Sequence, residues 1–379
     1  MTGRDPATAD RVRALHESAL LIDGHNDLPW RIRERGGLDA VPLGSRVEDG
    51  HTDLPRLRAG GVDAQFWAAW VPPRFRGPDA VRVAREQIAV IDELESRFPD
   101  LLERARTASD IERIAAAGRI ASLIGVEGGH AIDGSLDVLR ELYERGARYL
   151  TLTHTASLDW VDAAGDEPRA GGLSAFGRRV IGEMNRLGMI VDLSHVSDRA
   201  MHDALDASAA PVLFSHSSAR ALADHPRNVP DDVLARLPAN GGVVMVNFFS
   251  GFLTPAGTGR VPALFREEER MRAAHPDPAG FRDARDRWYR GLLEVRGTVA
   301  VIADHIGHVA ERAGIEHVGL GSDFDGVPMT PLGMEDVSCF PALTAELVSR
   351  GFSDGEVRAV LGGNALRALK AVERAAAGA

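Results

Sequence analysis

The chain has 379 residues and 44% of them are apolar, enough to bury the core of one large domain. Lys and Arg number 44 against 55 Asp and Glu, and the formal charge of −11 argues against a general nucleic-acid or anionic-membrane surface. A single cysteine, Cys339, excludes an intrachain disulfide framework and a thiolate zinc site. The stretch Met1–Asp10 is polar and lacks the apolar segment of a secretory signal. No run is long enough to span a bilayer, so a cytoplasmic protein is expected.

Residues 5–19 read as a short amphipathic helix. Eight apolar, strand-like runs follow, at residues 19–23, 62–71, 120–126, 149–154, 189–193, 211–215, 242–248 and 317–320. Helical patterns separate most of them, at residues 78–98, 136–145, 174–187, 197–207 and 231–237, the last with Pro230 in its first turn. Strand alternating with helix predicts parallel βα units, and near-continuous runs such as Val243-Val-Met-Val246 suit strands buried on both faces. Eight units predict an α/β fold of the TIM-barrel type, a (β/α)₈ barrel forming one domain over residues 1–379. A minimal barrel needs about 250 residues. The surplus is expected as loop and helical insertions after strands 1 and 7, at residues 36–57 and 250–314, the second containing helices over 281–295 and 299–313. Residues 341–350 and 354–376 read as closing helices.

Polar residues follow most of the apolar runs. The first run leads to His25 and Asp27, which at i and i+2 leave an extended segment on the same side. Glu127 follows the third run, His154 closes the fourth, His195 follows the fifth and His216 the sixth. Asp323 and Asp325 follow the eighth. Any one of them alone is more often a core, loop or capping residue than a ligand. Together they ring one end of a barrel, the C-terminal face where such folds build their sites. Four histidines with several carboxylates and no cysteine suit Zn²⁺, Mn²⁺ or Fe²⁺. The donors outnumber the needs of one tetrahedral ion, which points to two ions sharing a carboxylate. Glu127, followed by Gly128 and Gly129, is the natural bridge. Asp192, three residues before His195, reads either as a helix cap or as a residue that orients a ligand.

The segments IDGHNDLPW, VEGGHAID, RYLTLTH, IVDLSHVSD, PVLFSHSSAR, RNVPDDVL, VVMVNFF, GSDFDGVP and GGN, in order between Leu21 and Asn364, resemble the membrane dipeptidase (renal dipeptidase) family of the amidohydrolase superfamily. The resemblance implies a barrel with two Zn²⁺ ions per subunit that hydrolyses small dipeptides, including those with a D-residue at the C-terminal position, by attack of a hydroxide shared between the metals. By position it implies that His25 and Asp27 bind one zinc, that His195 and His216 bind the other, and that Glu127 bridges them. Asp323 corresponds to the general base and acid, His154 to a contact of the scissile carbonyl and its developing oxyanion, and Arg227 to the group that holds the substrate carboxylate. The chain lacks signal and anchor segments, so no membrane attachment is expected. It lacks cysteines for a disulfide-linked dimer, so a noncovalent homodimer is expected. Phe252 stands where the resemblance leads one to expect a tyrosine that reaches the substrate. Two other functions fit the same residues less well: lactone or cyclic-amide hydrolysis, and a non-catalytic metal-binding barrel. Arg227 favours a free-carboxylate substrate over the first, and the complete ligand set with Asp323 argues against the second.

His305-Ile-Gly-His308 spells a nucleotide-binding signature of some tRNA synthetases, but it falls within a helical pattern far along the chain. Both histidines are expected to be solvated. Arg220, Asp224 and His225 are expected in a surface loop. Trp67 and Trp70 are expected in the core, with one of them a candidate pocket wall. The charged run Arg266–Arg272, with Glu269, reads as a solvated helix face.

Overall fold

The computed structural model describes residues 6–378. The first helix spans Pro6–Ser18, and its expected start at Asp5 lies outside the described residues. Nine strands follow: β1 (Ile22–Asn26), β2 (Ala64–Trp70), β3 (Leu102–Arg104), β4 (Ile120–Glu127), β5 (Ala147–Thr151), β6 (Ile190–Asp192), β7 (Leu213–Phe214), β8 (Val243–Val246) and β9 (Val318–Leu320). All of the pairings between them are parallel. Eight strands close a barrel in the order β1-β2-β4-β5-β6-β7-β8-β9, with β9 returning to β1. These eight are the predicted apolar runs, so the (β/α)₈ barrel is as expected.

The ninth strand, β3, was not predicted. It pairs beside the first half of β4, from Leu102↔Ile120 to Arg104↔Ser122, and β5 takes over that edge from Ile124 onward. Leu102-Glu-Arg104 has no apolar run to announce it. β1 also lies further along than expected, at Ile22–Asn26, so His25 is a strand residue and not part of a turn. The expected helix over 231–237 is two short pieces, Asp231–Leu234 and Leu237–Asn240. Pro230 precedes the first piece as its N-cap, and Pro238 lies in the first turn of the second.

The barrel interior is packed and not hollow. Ile22, Phe66, Leu123, Tyr149, Ile190, Leu213, Val243 and Met245 fill its lower layers, and the helices Ala108–Ala116 and Asn364–Ala377 plug the bottom. Tyr149 fits because its partner in register is Gly125. A Cβ on Gly125 would lie 1.8 Å from Tyr149 Cζ. The barrel closes at a short seam where β1 and β9 share one register pair, Asp23↔Leu320. Buried Asp23 reinforces that seam by accepting hydrogen bonds from the Ser322 N–H (2.7 Å) and hydroxyl (2.6 Å).

The surplus sequence lies where it was expected. After β1 come the helices Leu28–Glu34 and Leu54–Ala59 with the turn Leu38–Ala40 between them. After β8 come Ser250–Leu253, Pro255–Thr258, Val261–Ala274, Pro278–Arg290 and Leu293–Arg296. Val299–Ala313 packs against β8 and β9 as the barrel's own outer helix, so the second insertion is narrower than predicted and ends near residue 297. Phe249, Phe252, Leu264, Tyr289, Val295, Val327 and Met329 form a separate small core that ties this insertion to the C-terminal face. On Val261–Ala274, Arg266, Glu269 and Arg270 are exposed as expected, while Met271 turns inward.

Candidate active site

The strand C-termini bring the predicted donors to one buried place. β1 carries His25 and leads to Asp27. β4 ends on Glu127, and His154, His195, His216 and Asp323 follow β5, β6, β7 and β9. Relative exposure is 0% at His25, 1% at His216 and 3% at Glu127, so these polar groups need partners other than bulk water. His195 (φ 71°) and Asp323 (φ 63°) adopt the left-handed conformation, as does Asp325 (φ 64°). Side chains rarely occupy that region, and its cost of order 1–3 kcal/mol is borne where the surroundings fix the turn. Here the Asp323 N–H donates to the His25 carbonyl (3.0 Å) and the Asp27 N–H to the Phe324 carbonyl (2.9 Å).

Glu127 lies at the centre. Its Oε1 is 3.1 Å from His195 Nε2, 3.5 Å from His216 Nε2 and 3.7 Å from His154 Nε2, and its Oε2 is 3.5 Å from His25 Nε2. His25 Nε2 is also 3.3 Å from Asp27 Oδ2, and the Nε2 atoms of His195 and His216 are 3.0 Å apart. Three overlapping groups have donor atoms within 4.8 Å of one another: His25 with Glu127 and His216, Glu127 with His154 and His195, and His25 with Asp27 and Asp323.

The hydrogen bonds behind the ring decide where the imidazole protons sit. The Tyr149 hydroxyl donates to the Gly24 carbonyl (3.3 Å) and so accepts from His25 Nδ1 (2.9 Å). That leaves the Nε2 lone pair of His25 facing the centre, with no hydrogen-bond partner. The Ser215 hydroxyl donates to Asp192 Oδ2 (2.7 Å) and accepts from His216 Nδ1 (2.8 Å), so the lone pair of His216 also faces inward. Asp192 therefore orients His216 through Ser215 and does not cap a helix. Asn247 Nδ2 donates to Asp323 Oδ2 (2.7 Å).

Electrostatics point the same way. Burial, reinforced by Arg227 and neighbouring histidines, holds His195 and His216 well below the ordinary imidazole range and brings His154 down to about 3. Neutral imidazole is the form that binds a metal. Burial, together with Asp27 and Glu127, pushes Asp323 well above the usual carboxylate range against the pull of His25. Three carboxylates this close repel one another unless cations lie among them. At His25 burial opposes the charged form, but Tyr149, Glu127 and Asp27 raise its pKa well above the ordinary imidazole range, so that ring draws positive charge toward the carboxylates. Three neutral rings and a fourth that attracts a cation's charge among crowded carboxylates fit a divalent metal cofactor.

Walls flank the donors on opposite sides of the barrel. At the end of β2, the Trp70 ring lies 5.4 Å from that of His154 and meets Trp30 edge to face at 4.8 Å. Trp67 is core, its indole N–H on Ser122 Oγ (3.0 Å), so Trp70 is the tryptophan beside the site. Beyond β7, buried Arg227 lies 5.3 Å from the Phe252 ring centre. Its Nη1 donates to Ser217 Oγ (3.3 Å) and its Nη2 to the His216 carbonyl (3.2 Å), while Nε has no partner. Burial lowers its pKa to about 10, which leaves it charged at neutral pH.

Several expectations need correction. Asp325 is not among the central donors: it accepts from Arg31 Nη1 (2.9 Å) and the His51 N–H (2.8 Å) and pins the turn that follows Asp323. His225 is not simply a loop residue, for its ring packs 4.7 Å from that of Phe252 and its Nδ1 accepts from the Arg227 N–H (3.2 Å). Arg220 does lie in a loop, as expected, paired with exposed Asp198 (2.6 Å). His305 is buried instead of solvated, and half-buried His308 pairs with Asp231 (2.8 Å). Tyr149, Ser215 and Asn247 were not anticipated. Asn247 was findable, because it is the polar residue that interrupts the end of the seventh apolar run, just beyond β8. Tyr149 and Ser215 lie inside runs that read as core.

Residues 9–379 match the family described as Membrane dipeptidase (Peptidase family M19). The chain is 40% identical over 377 residues to Dipeptidase 3 of Mus musculus, covering 98% of this chain and 68% of that one. It is 42% identical over 365 residues to Dipeptidase verJ of Clonostachys rogersoniana, covering 93% and 84%. Among solved structures it resembles the probable dipeptidase PvdM from Pseudomonas aeruginosa, with a TM-score of 0.80, 26% identity and coverage of 98% and 100%. It also resembles a metallo peptidase from Rhodobacter sphaeroides liganded with a phosphinate mimic of the dipeptide L-Ala-D-Ala, with a TM-score of 0.77, 26% identity and coverage of 93% and 99%. The match along almost the whole length, with the donor ring at its centre, places this chain in the membrane dipeptidase family.

Proposed function

We propose that the protein is a zinc dipeptidase that holds two Zn²⁺ per subunit and cleaves dipeptides of the L-Xaa-D-Xaa or L-Xaa-L-Xaa type. The observation that carries this reading is Glu127, whose two oxygens lie within 3.7 Å of four histidine Nε2 atoms at the C-terminal face of the barrel. His25 and Asp27 would hold one ion, His195 and His216 the other, with Glu127 between them. Two bound cations would supply an acidified water and polarise the scissile carbonyl.

The remaining work falls to the chain. Arg227, charged and backed by Phe252, offers a planar fork for the substrate carboxylate, which a lysine would match less well. His154, neutral at working pH, can donate to the carbonyl oxygen as negative charge develops there. Asp323 takes a proton from the attacking water and delivers it to the leaving amine. Trp70 and Phe252 narrow the space on either side and exclude bulk water.

A noncovalent homodimer in the cytoplasm fits the lone half-buried cysteine and the acidic charge. No helix among the described residues is long and apolar enough to cross a membrane.

The test is hydrolysis of an L-Xaa-L-Xaa and L-Xaa-D-Xaa library by zinc-loaded enzyme, with lactones and cyclic amides alongside. Dipeptide cleavage that chelation removes and Zn²⁺ restores is expected. Turnover of the cyclic substrates without any dipeptide cleavage would overturn the reading.

A further inference from the structure

His305 lies in the middle of the outer helix Val299–Ala313 and is 1% exposed. Its ring bridges two loops of the catalytic face. The Ala219 N–H donates to Nδ1 (2.9 Å), so the ring proton sits on Nε2, which donates to the Leu253 carbonyl (3.0 Å). Ala219 belongs to the loop after β7. There the Val229 N–H donates to the Ser218 carbonyl (2.7 Å) and the Arg220 N–H to the Val229 carbonyl (3.0 Å), so residues 218–220 run alongside the segment that carries Arg227. Leu253 closes the first short helix of the β8 insertion and directly follows Phe252.

Asn228 makes a second tie between the same loops, its Nδ2 donating to the carbonyls of Phe252 (2.7 Å) and Ala223 (2.8 Å). Arg227 directly precedes Asn228, and its guanidinium lies over the Phe252 ring. Its own side-chain hydrogen bonds are long, at 3.2 and 3.3 Å, and Nε has none. Two long bonds do not fix the direction of a five-donor fork. Its aim is set by the loops that His305 and Asn228 join. Burial brings the His305 pKa to about 4, so the brace stays neutral through the working range.

We propose that His305 is a positioning residue for substrate capture: from outside the barrel it fixes the relative placement of the loops bearing Arg227 and Phe252, and thereby how tightly a substrate carboxylate is held. This rests on the assignment of Arg227 to the substrate carboxylate made above. Binding of a carboxylate remote from the scissile bond is shared by the bound substrate and the transition state, so loosening it raises KM more than it lowers kcat.

The experiment compares L-Ala-D-Ala with its C-terminal amide, using metal-loaded parent, His305→Phe, His305→Asn and Arg227→Met. His305→Phe keeps a ring but leaves the Ala219 N–H and Leu253 carbonyl without partners. His305→Asn keeps an acceptor near the Nδ1 position and is a partial rescue. For L-Ala-D-Ala, kcat/KM is expected to fall about tenfold in His305→Phe and about threefold in His305→Asn, mostly through KM. For the amide it is expected to change by less than about twofold, with metal content per chain unchanged. Arg227→Met should show the same selective loss on a larger scale. Equal losses on both substrates in the His305 variants, or no loss on either, while Arg227→Met remains selective, would overturn the proposal. If Arg227→Met itself loses both substrates equally, the carboxylate assignment falls and the positioning role falls with it. Should His305→Phe fail to fold, His305→Asn decides by the same criteria.

Discussion

Asp323 occupies a left-handed turn among carboxylates, with Asn247 on one of its oxygens. Asparagine tolerates that backbone region better than most residues, so Asp323→Asn preserves the turn while removing the proposed proton carrier. We expect kcat to fall about 10³-fold or more with metal content unchanged, measured by steady-state kinetics and metal analysis on the same sample. Turnover within tenfold of the parent would remove Asp323 from the mechanism. At this scale the sequence was informative wherever a donor directly follows an apolar run. His25, Glu127, His154, His195, His216 and Asp323 all stand at or just beyond the end of such a run, and although each alone has a structural alternative, the ring they form together does not. It was silent on Tyr149 and Ser215. A hydroxyl inside a strand declares its partner only when the neighbouring strand is in register, as Ser215 does with Asp192 across the β6–β7 pair.

The strands set the site through their smallest members. A Cβ at Gly125 of β4 would meet the Tyr149 ring, whose hydroxyl holds His25. Gly125→Ala is therefore expected to cost about 1–3 kcal/mol of stability by overpacking and to weaken metal binding about 10–100-fold by displacing the partner of a ligand. Thermal melts and competition with a chelator would check both, with Tyr149→Phe as the companion that weakens metal binding at a smaller cost in stability. Unchanged metal affinity in both variants would exclude a role for Tyr149 in holding His25. At the start of β2, Asp63 accepts from the Leu21 N–H (2.8 Å), and burial pushes its pKa up to about 6. Between about pH 4 and 6 the folded chain keeps a proton that the unfolded chain has released, so this residue's contribution to stability declines as pH rises through that window and stays low above it. Asp63→Asn should flatten the Tm profile there relative to the parent and raise Tm at pH 7 by roughly one to three degrees. A parallel pair of profiles would refute it. Elements were legible where hydrophobic period and length agreed. β3 escaped because three residues, two of them charged and half-buried, carry no period, and the helix Val299–Ala313 was merged with the insertion because both are amphipathic.

The molecule as a whole gathers its donors from six strand ends, so cation binding and folding are linked. Saturating Zn²⁺ is expected to raise Tm by several degrees and a chelator to lower it, because the unfolded chain cannot present donors that lie far apart in sequence. Identical melts with and without metal would separate the cation from stability. The seam between β1 and β9 carries this furthest. His25 and Asp27 come from the first strand and Asp323 from the last, and Asp23 reaches Ser322 across 299 positions of chain directly beneath them. During translation the ribosome emits His25 and Asp27 well before Asp323. A growing chain therefore has no working peptide-bond hydrolase beside the exit tunnel. With the proposed roles of His25, Asp27 and Asp323, activity is expected only once β9 has closed on β1.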